Sequence, residues 1–143
     1  MPDRQPYRSF NFRVEIDGIA DAQFAEVVVP DAEIDVVEYR EGADKMSATR
    51  KLPGRVRYGK IVLIRGIAGD LSLYQWFRAV ADGDLQLRDA VIILLDAERQ
   101  SVRRWIARDT WPTKYAGPAL NARNSEVAIE TLELAVERIE IEG

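Results

Sequence analysis

The sequence predicts a mainly β protein with one helix. Two observations carry this. Apolar residues alternate with polar ones over several short segments separated by turn residues, the period-two signature of half-buried strands. A single stretch near residue 70 switches to a period of 3.6.

The first alternation is Phe10, Phe12, Val14 and Ile16 against Asn11, Arg13, Glu15 and Asp17. Asp17-Gly18 marks a turn. Strands are expected at about Ala22–Val29, stopped by Pro30-Asp31, and at about Glu33–Arg40. In sequence order these three would form a β-meander. Residues 41–55 lose periodicity and read as an extended loop, a length that often carries function. Alternation returns with Val56, Tyr58, Val62 and Ile64, while Ile61 and Leu63 make the second half apolar on both faces. Tyr58 shares the apolar parity and is expected to be buried.

Leu73, Trp76, Phe77 and Val80 then fall on one helical face. Asp70 is a candidate N-cap and Asp82-Gly83 a stop, giving a helix over about 70–82. Trp76 and Phe77 read as its anchor onto a sheet. Ala90–Leu95 is short and wholly apolar, as in a central strand. Val102–Asp109 follows as a strand. Thr110–Tyr115 is extended, with Pro112 at an edge or bulge. From Glu126 to Glu142 the apolar parity reverses twice. This reads as a long strand with two register slips, one half facing its own core and the other facing something else. On pattern alone a helix is the alternative.

Composition limits the chemistry. The chain has 143 residues, no Cys and no His. That length fits one domain over 1–143, able to bury about two-thirds of its unfolded surface. Disulfides, zinc fingers, thiol nucleophiles and Ser-His-Asp triads are excluded. Net charge is -4, so there is no global basic footprint for nucleic acid. No apolar run approaches a membrane span, and residues 1–6 lack a signal-peptide core, so synthesis and folding in a cytoplasm are expected. The signatures GxxxxGK[ST], GxGxxG and GxSxG are absent. Asp31, Glu33 and Asp35 could suggest a cation site but lack the rest of an EF-hand loop. Glu130 and Glu133 imitate an acid–base pair with nothing to desolvate either. No catalytic, metal or cofactor site is assigned, and the chain is not expected to be an enzyme.

Charge is segregated. Arg40–Arg65 holds eight basic residues against Glu41 and Asp44, a local +6. Glu126–Gly143 holds six Glu against Arg138, a local -5. Two solvated faces would explain this. So would a self-complementary chain, in which the basic segment of one copy meets the acidic segment of another. A third reading is a monomeric β-domain that binds an anionic partner through its basic loop.

Several blocks in order resemble the tail-tube proteins of contractile phages and the inner-tube proteins of phage-tail-like contractile injection systems. They are Phe12–Gly18, Phe24–Val27, Glu38–Gly42, Leu52-Pro53-Gly54 with Tyr58 and Ile64-Arg65-Gly66, Trp76, Trp111–Lys114 and Asn124–Glu130. The turn Asp96–Arg99 departs from the pattern in lacking a Gly. The resemblance implies a β-barrel or sandwich with one helix packed outside. It implies hexameric rings stacked into a hollow tube, within a phage tail or a released injection particle. The implied partners are further copies, a sheath, a baseplate, a terminal cap, and cargo (protein effector or DNA) in the lumen, with no membrane insertion by the isolated chain. The loop would be an arm reaching a neighbour. The expected contacts are Arg40, Glu41, Asp44, Lys45, Met46, Arg50, Lys51, Leu52 and Arg55 on the arm, and Glu137 and Glu140 on the last strand.

Overall fold

The computed structural model describes residues 6–9, 11–19, 23–40, 42, 49–67, 69–123 and 125–143. Expectations placed on Phe10, Glu41, Asp44, Lys45, Met46 and Asn124 lie outside the described residues. The elements run β1 (Phe12–Ile16), β2 (Glu26–Val28), β3 (Ala32–Tyr39), β4 (Arg50–Tyr58), β5 (Ile61–Gly66), α1 (Ser72–Ala81), β6 (Arg88–Leu95), β7 (Ser101–Ala116), β8 (Ile129–Ala135) and β9 (Arg138–Glu142).

β7 organises the body. Its first half pairs with β6 on one side and β9 on the other, and its second half pairs with β8. The direction changes near Asp109, a non-glycine at φ 53°. There the Thr110 hydroxyl, wholly buried, donates to the Arg88 carbonyl. A seven-stranded antiparallel sheet results, in the order β1-β6-β7-β8-β5-β2 with β9 beside β7. Its end strands do not pair, so the sheet folds over itself without closing into a barrel. A cavity of about 590 Å³ opens at that gap, lined by Phe12, Val27, Val29, Ile92 and Trp105 among others.

The core lies between the two halves: Val14 and Ile16 from β1, Ile61 and Leu63 from β5, Ala90 and Ile92 from β6, Ala107 from β7, Leu132 and Leu134 from β8, and Leu73 and Trp76 from α1. Each large buried side chain contributes about 1.5–3 kcal/mol. β1 and β6 match their patterns. Arg13 and Glu15 are exposed while Val14 and Ile16 are buried, and β6 lies centrally between β1 and β7.

The helix runs over Ser72–Ala81, two residues shorter at its start than expected. Leu71 occupies the cap, and its carbonyl accepts the Gln75 N–H. Asp70 acts one residue earlier, its carboxylate accepting both the backbone N–H and the hydroxyl of Ser72. The end follows the expected stop. Gly83 has φ 97°, its N–H donates to Val80, and the Asp84 N–H donates to Ala79, the paired bonds of a Schellman motif. Trp76 is buried, and its indole N–H donates to the Gln86 carbonyl.

Several expectations are corrected. There is no N-terminal meander: β1 pairs with β6, β2 with β5, and β3 with β4. Alternation specifies a strand's faces, and partners are chosen by non-local packing. The loop expected at 41–55 is shorter, because Arg50–Arg55 belong to β4. The strand read as continuous from Val56 breaks at Gly59-Lys60. There the Gly59 N–H donates to the Asp31 carbonyl, and a Cβ at Gly59 would push the exposed Asp31 carboxylate aside. In β5 the fully buried parity is Ile61, Leu63 and Arg65, with Val62 and Ile64 half-buried. Tyr58 is half-buried as well. The C-terminal segment has one break, at Val136-Glu137, instead of two. β8 keeps regular register with β5 throughout, so the first parity change is a change of residue type. It leaves Val127 and Ile129 outside and buries Glu130. Pro112 sits at a bulge as expected, and the register with β8 shifts between Pro112 and Lys114. At the glycine-lacking turn, Arg99 takes φ 62° itself, held by the Asp96 carboxylate, which accepts the Glu98 and Gln100 N–H groups.

Candidate assembly surfaces

β3 and β4 form a separate two-stranded sheet outside the seven-stranded body. Its cross-strand pairs include Ile34 with Val56 and Val37 with Leu52, and a bulge follows Ile34. Val36 and Val37 are adjacent and therefore point to opposite faces. Both are exposed, as are Ile34, Tyr39, Leu52 and Val56. A two-stranded ribbon with bare apolar residues on both faces is marginal in water alone. Contiguous apolar surface of this kind marks a contact region.

Further exposed apolar residues flank the C-terminal strands. Val127 is 76% accessible and Ile141 63%, and Ile129 and Leu120 are also exposed. This agrees with a last segment that turns one part of its apolar surface outward.

The contacts expected from sequence divide. Arg50, Lys51, Leu52 and Arg55 lie exposed on β4, and Arg40 follows β3. Glu137 is exposed at the β8–β9 break. Glu140, in contrast, faces its own chain. Its carboxylate accepts from Arg108 at 3.1 Å and from Arg138 at 3.2 Å. Those two guanidinium groups, Arg108 first, hold its carboxyl below the usual range. Asp89 completes this cluster, and its carboxyl is lowered by the Asp109 N–H and then by Arg108.

Much of the charge segregation is satisfied within the chain. Arg65 stands opposite Glu130 across the β5–β8 ladder, and the buried pair meets at 2.5 Å. The Tyr115 hydroxyl donates to the other Glu130 oxygen at 2.6 Å, which pushes its pKa up to about 12. Arg65 also donates to the Asp70 carbonyl, so one guanidinium ties β5, β8 and the entry to α1 together. Ser72 hydrogen bonds, with Arg65 behind them, lower the Asp70 carboxyl. Glu133 takes Lys60 at 3.7 Å and Lys114 at 3.6 Å. Glu130 and Glu133 are therefore structural partners of cations. Asp35 is likewise paired, with Arg57 at 3.0 Å. Among the described residues no group of acidic side chains is placed to hold a metal ion.

Apart from Met46 and Leu52, sequence reasoning selected charges and passed over the exposed apolar residues Ile34, Val36, Val37, Tyr39 and Val56. The signal was present. Val36-Val37 breaks alternation in a strand with a charged residue on either side, which no one-sided strand requires.

The arrangement is a folded-over β sheet with one outer helix and an appended apolar hairpin, the architecture of a structural subunit. Residues 8–140 match the family described as T4-like virus tail tube protein gp19, and the chain belongs to that family. It is a structural subunit of the tube in phage tails and contractile injection systems. Among solved structures it is similar to a chain of the anti-feeding prophage (AFP) baseplate, with TM-score 0.83, 26% identity and 97% of each chain covered. A chain of the PVC sheath-tube complex in its extended state gives TM-score 0.87 at 22% identity, covering 98% of this chain and 93% of that one. Hcp1 from Flavobacterium johnsoniae shares the fold, with TM-score 0.58 at 13% identity over 94% of this chain and 96% of that one. No curated protein shows significant similarity. The matches are structural tube proteins and not enzymes, and nothing among them supports a monomeric module for an anionic partner.

Proposed function

We propose that the whole chain, 1–143, acts as one tube domain, and that six copies close into a ring and rings stack into a hollow tube. The observation that carries this is the β3–β4 hairpin, whose apolar residues stay exposed on both faces. The six-fold symmetry of the AFP assembly supports the ring number. The hairpin, with the segment that joins its strands, is the arm that lies on a neighbouring subunit. Arg40, Arg50, Lys51 and Arg55 orient it toward acidic residues such as Glu137 of the next copy, while Leu52 and its apolar neighbours supply the adhesion. Glu41, Asp44, Lys45 and Met46 extend this contact.

The tube is assembled in the bacterial cytoplasm, inside a sheath, on a baseplate and under a terminal cap. Similarity to chains of sheath-tube, baseplate and cap complexes supports the sheath, baseplate and cap as partners. The lumen passes cargo, protein effector or DNA. Size-exclusion chromatography and negative-stain microscopy of the purified chain test the reading. Rings or tubes are expected, and a strict monomer at high concentration overturns it.

A further inference from the structure

One broad face of the sheet carries none of the exposed large hydrophobic residues. It belongs to the β1–β6–β7–β9 half, on the side away from the core. Register assigns its members. Arg13 stands opposite Ile93, Ile93 opposite Arg104, and Arg104 opposite Glu142. Two residues along, Glu15, Val91, Ile106 and Glu140 form the next row. Directly opposed residues share a face. The intervening rows, Val14-Ile92-Trp105 and Ile16-Ala90-Ala107, face the core and its margin.

The charges on this face cancel. Its cations are Arg13, Arg104, Arg108 and Arg138. Its anions are Glu15, Asp89, Glu140 and Glu142. Most are already joined: Arg13 with Glu15 at 3.2 Å, Arg108 with Asp89 at 2.9 Å and with Glu140 at 3.1 Å, and Arg138 with Glu140 at 3.2 Å. Ile93 and Ile106 lie buried in rows whose other members are largely charged. Aliphatic stems of charged side chains can cover such apolar neighbours. The face is therefore neither apolar enough to adhere nor charged enough to attract.

Its place in the ring follows from topology. β1 and β9 are the outer strands of this half, and each pairs on one side only. Side-by-side copies meet at those edges. The opposite side of the sheet is backed by β8, β5, β2 and α1, and the thicker layer takes the larger circumference. We propose that the charge-compensated face lines the channel and presents a wall without net sign to a passing polypeptide, acidic or basic. This rests on the tube reading above. A wall meant to hold a polyanion would leave its arginines unpaired for phosphate. Here carboxylates occupy Arg13, Arg108 and Arg138, Arg104 stands opposite Glu142 in the register without an ion pair between them, and with four cations against four anions a protein passenger of either charge meets no net field.

The chain contains no Cys, so a single introduced thiol reports alone. Val91→Cys places it in the middle of the face without altering a charge, and Asn11→Cys serves if the first variant does not assemble. Tubes and dissociated chains are treated with a small neutral maleimide and with one carrying a long polyethylene glycol chain. In tubes the thiol should react with the small reagent only. Equal reaction with both puts the face outside, and reaction with neither puts it in a contact; each overturns the proposal. Cationic and anionic methanethiosulfonates then read the wall's sign. Their rate ratio in tubes should match that in dissociated chains within about threefold. A tenfold change, about 1.4 kcal/mol of local potential, overturns the compensated wall. If the wild-type chain forms no tubes, the tube reading itself fails, and this inference with it.

Discussion

The seven-stranded body and the β3–β4 hairpin solve opposite problems. In the body, β1, β2, β5, β6, β7 and β8 turn apolar residues to a common core, and the buried charges are matched: Arg65, Glu130 and Tyr115 satisfy one another. The hairpin has the same strand chemistry and no core. Val36 and Val37 leave opposite faces, and both stay exposed. The difference shows which part is built to fold and which to be folded against. Stability should reside in the body and adhesion in the hairpin.

The largest effect should come from the body's buried ion pair. Glu130→Ala strands the Arg65 guanidinium and removes the acceptor of Tyr115. Losing one partner of a buried pair costs about 3–5 kcal/mol. Leu132→Ala, at a fully buried site, should cost about 2–5 kcal/mol. Urea denaturation of the unassembled chain measures both. A loss below about 1 kcal/mol at Glu130 would show that the body does not depend on this network.

The hairpin should behave the other way. Val37→Asp and Leu52→Asp alter opposed, exposed positions, so chain stability should move by no more than about 0.5 kcal/mol. Assembly should nevertheless fail in sedimentation or microscopy. Loss of folding instead would mean that the hairpin belongs to the body after all.

What could be read from sequence divides along the same line. The strand faces of β1 and β6 and the stop at Asp82-Gly83 are local matters of alternation and capping, and they stand as read. Partners were not legible. β2 chooses β5 and β1 chooses β6 because of where Leu63 and Ile92 pack, which no window of sequence contains. The same non-locality hid the fate of the charges. Arg65 and Glu130 look like the ends of two complementary segments suited to two copies, yet the β5–β8 ladder sets them opposite one another in one chain. Asp96 shows that one local rule can replace another. Its carboxylate holds a turn in which Arg99 takes the left-handed conformation expected of glycine.

Alkaline titration separates the two regions more gently. Tyr115 lies in the body, and its phenol pKa is raised to about 12, chiefly by donating to Glu130. An unfolded tyrosine ionises near 10. The folded group holds its proton more tightly, so its stabilising contribution is complete below pH ~10 and is lost as pH rises through about 12. Stability should fall across that window in the wild type, and the fall should shrink in Tyr115→Phe. An identical alkaline profile in the two proteins would mean that this hydrogen bond contributes nothing to folding.

The smallest effect should come from the hairpin's charges. Arg57 and Asp35 pair at 3.0 Å with the arginine largely exposed, and exposed pairs contribute about 0.2–1 kcal/mol at most. Arg50 and Lys51 carry charge with little area behind it. Their part is orientation during encounter, because complementary charge acts more on association rate than on affinity. Raising ionic strength from about 0.05 to 0.5 M shortens the screening length to a few ångströms. Assembly followed by light scattering should then slow while reaching a similar final mass, and Arg50→Ala with Lys51→Ala should flatten this salt dependence. If salt instead dissolved preformed tubes, the ion pairs would outweigh Val36, Val37 and Leu52, and adhesion would belong to the charges that the sequence advertises and not to the apolar residues between them.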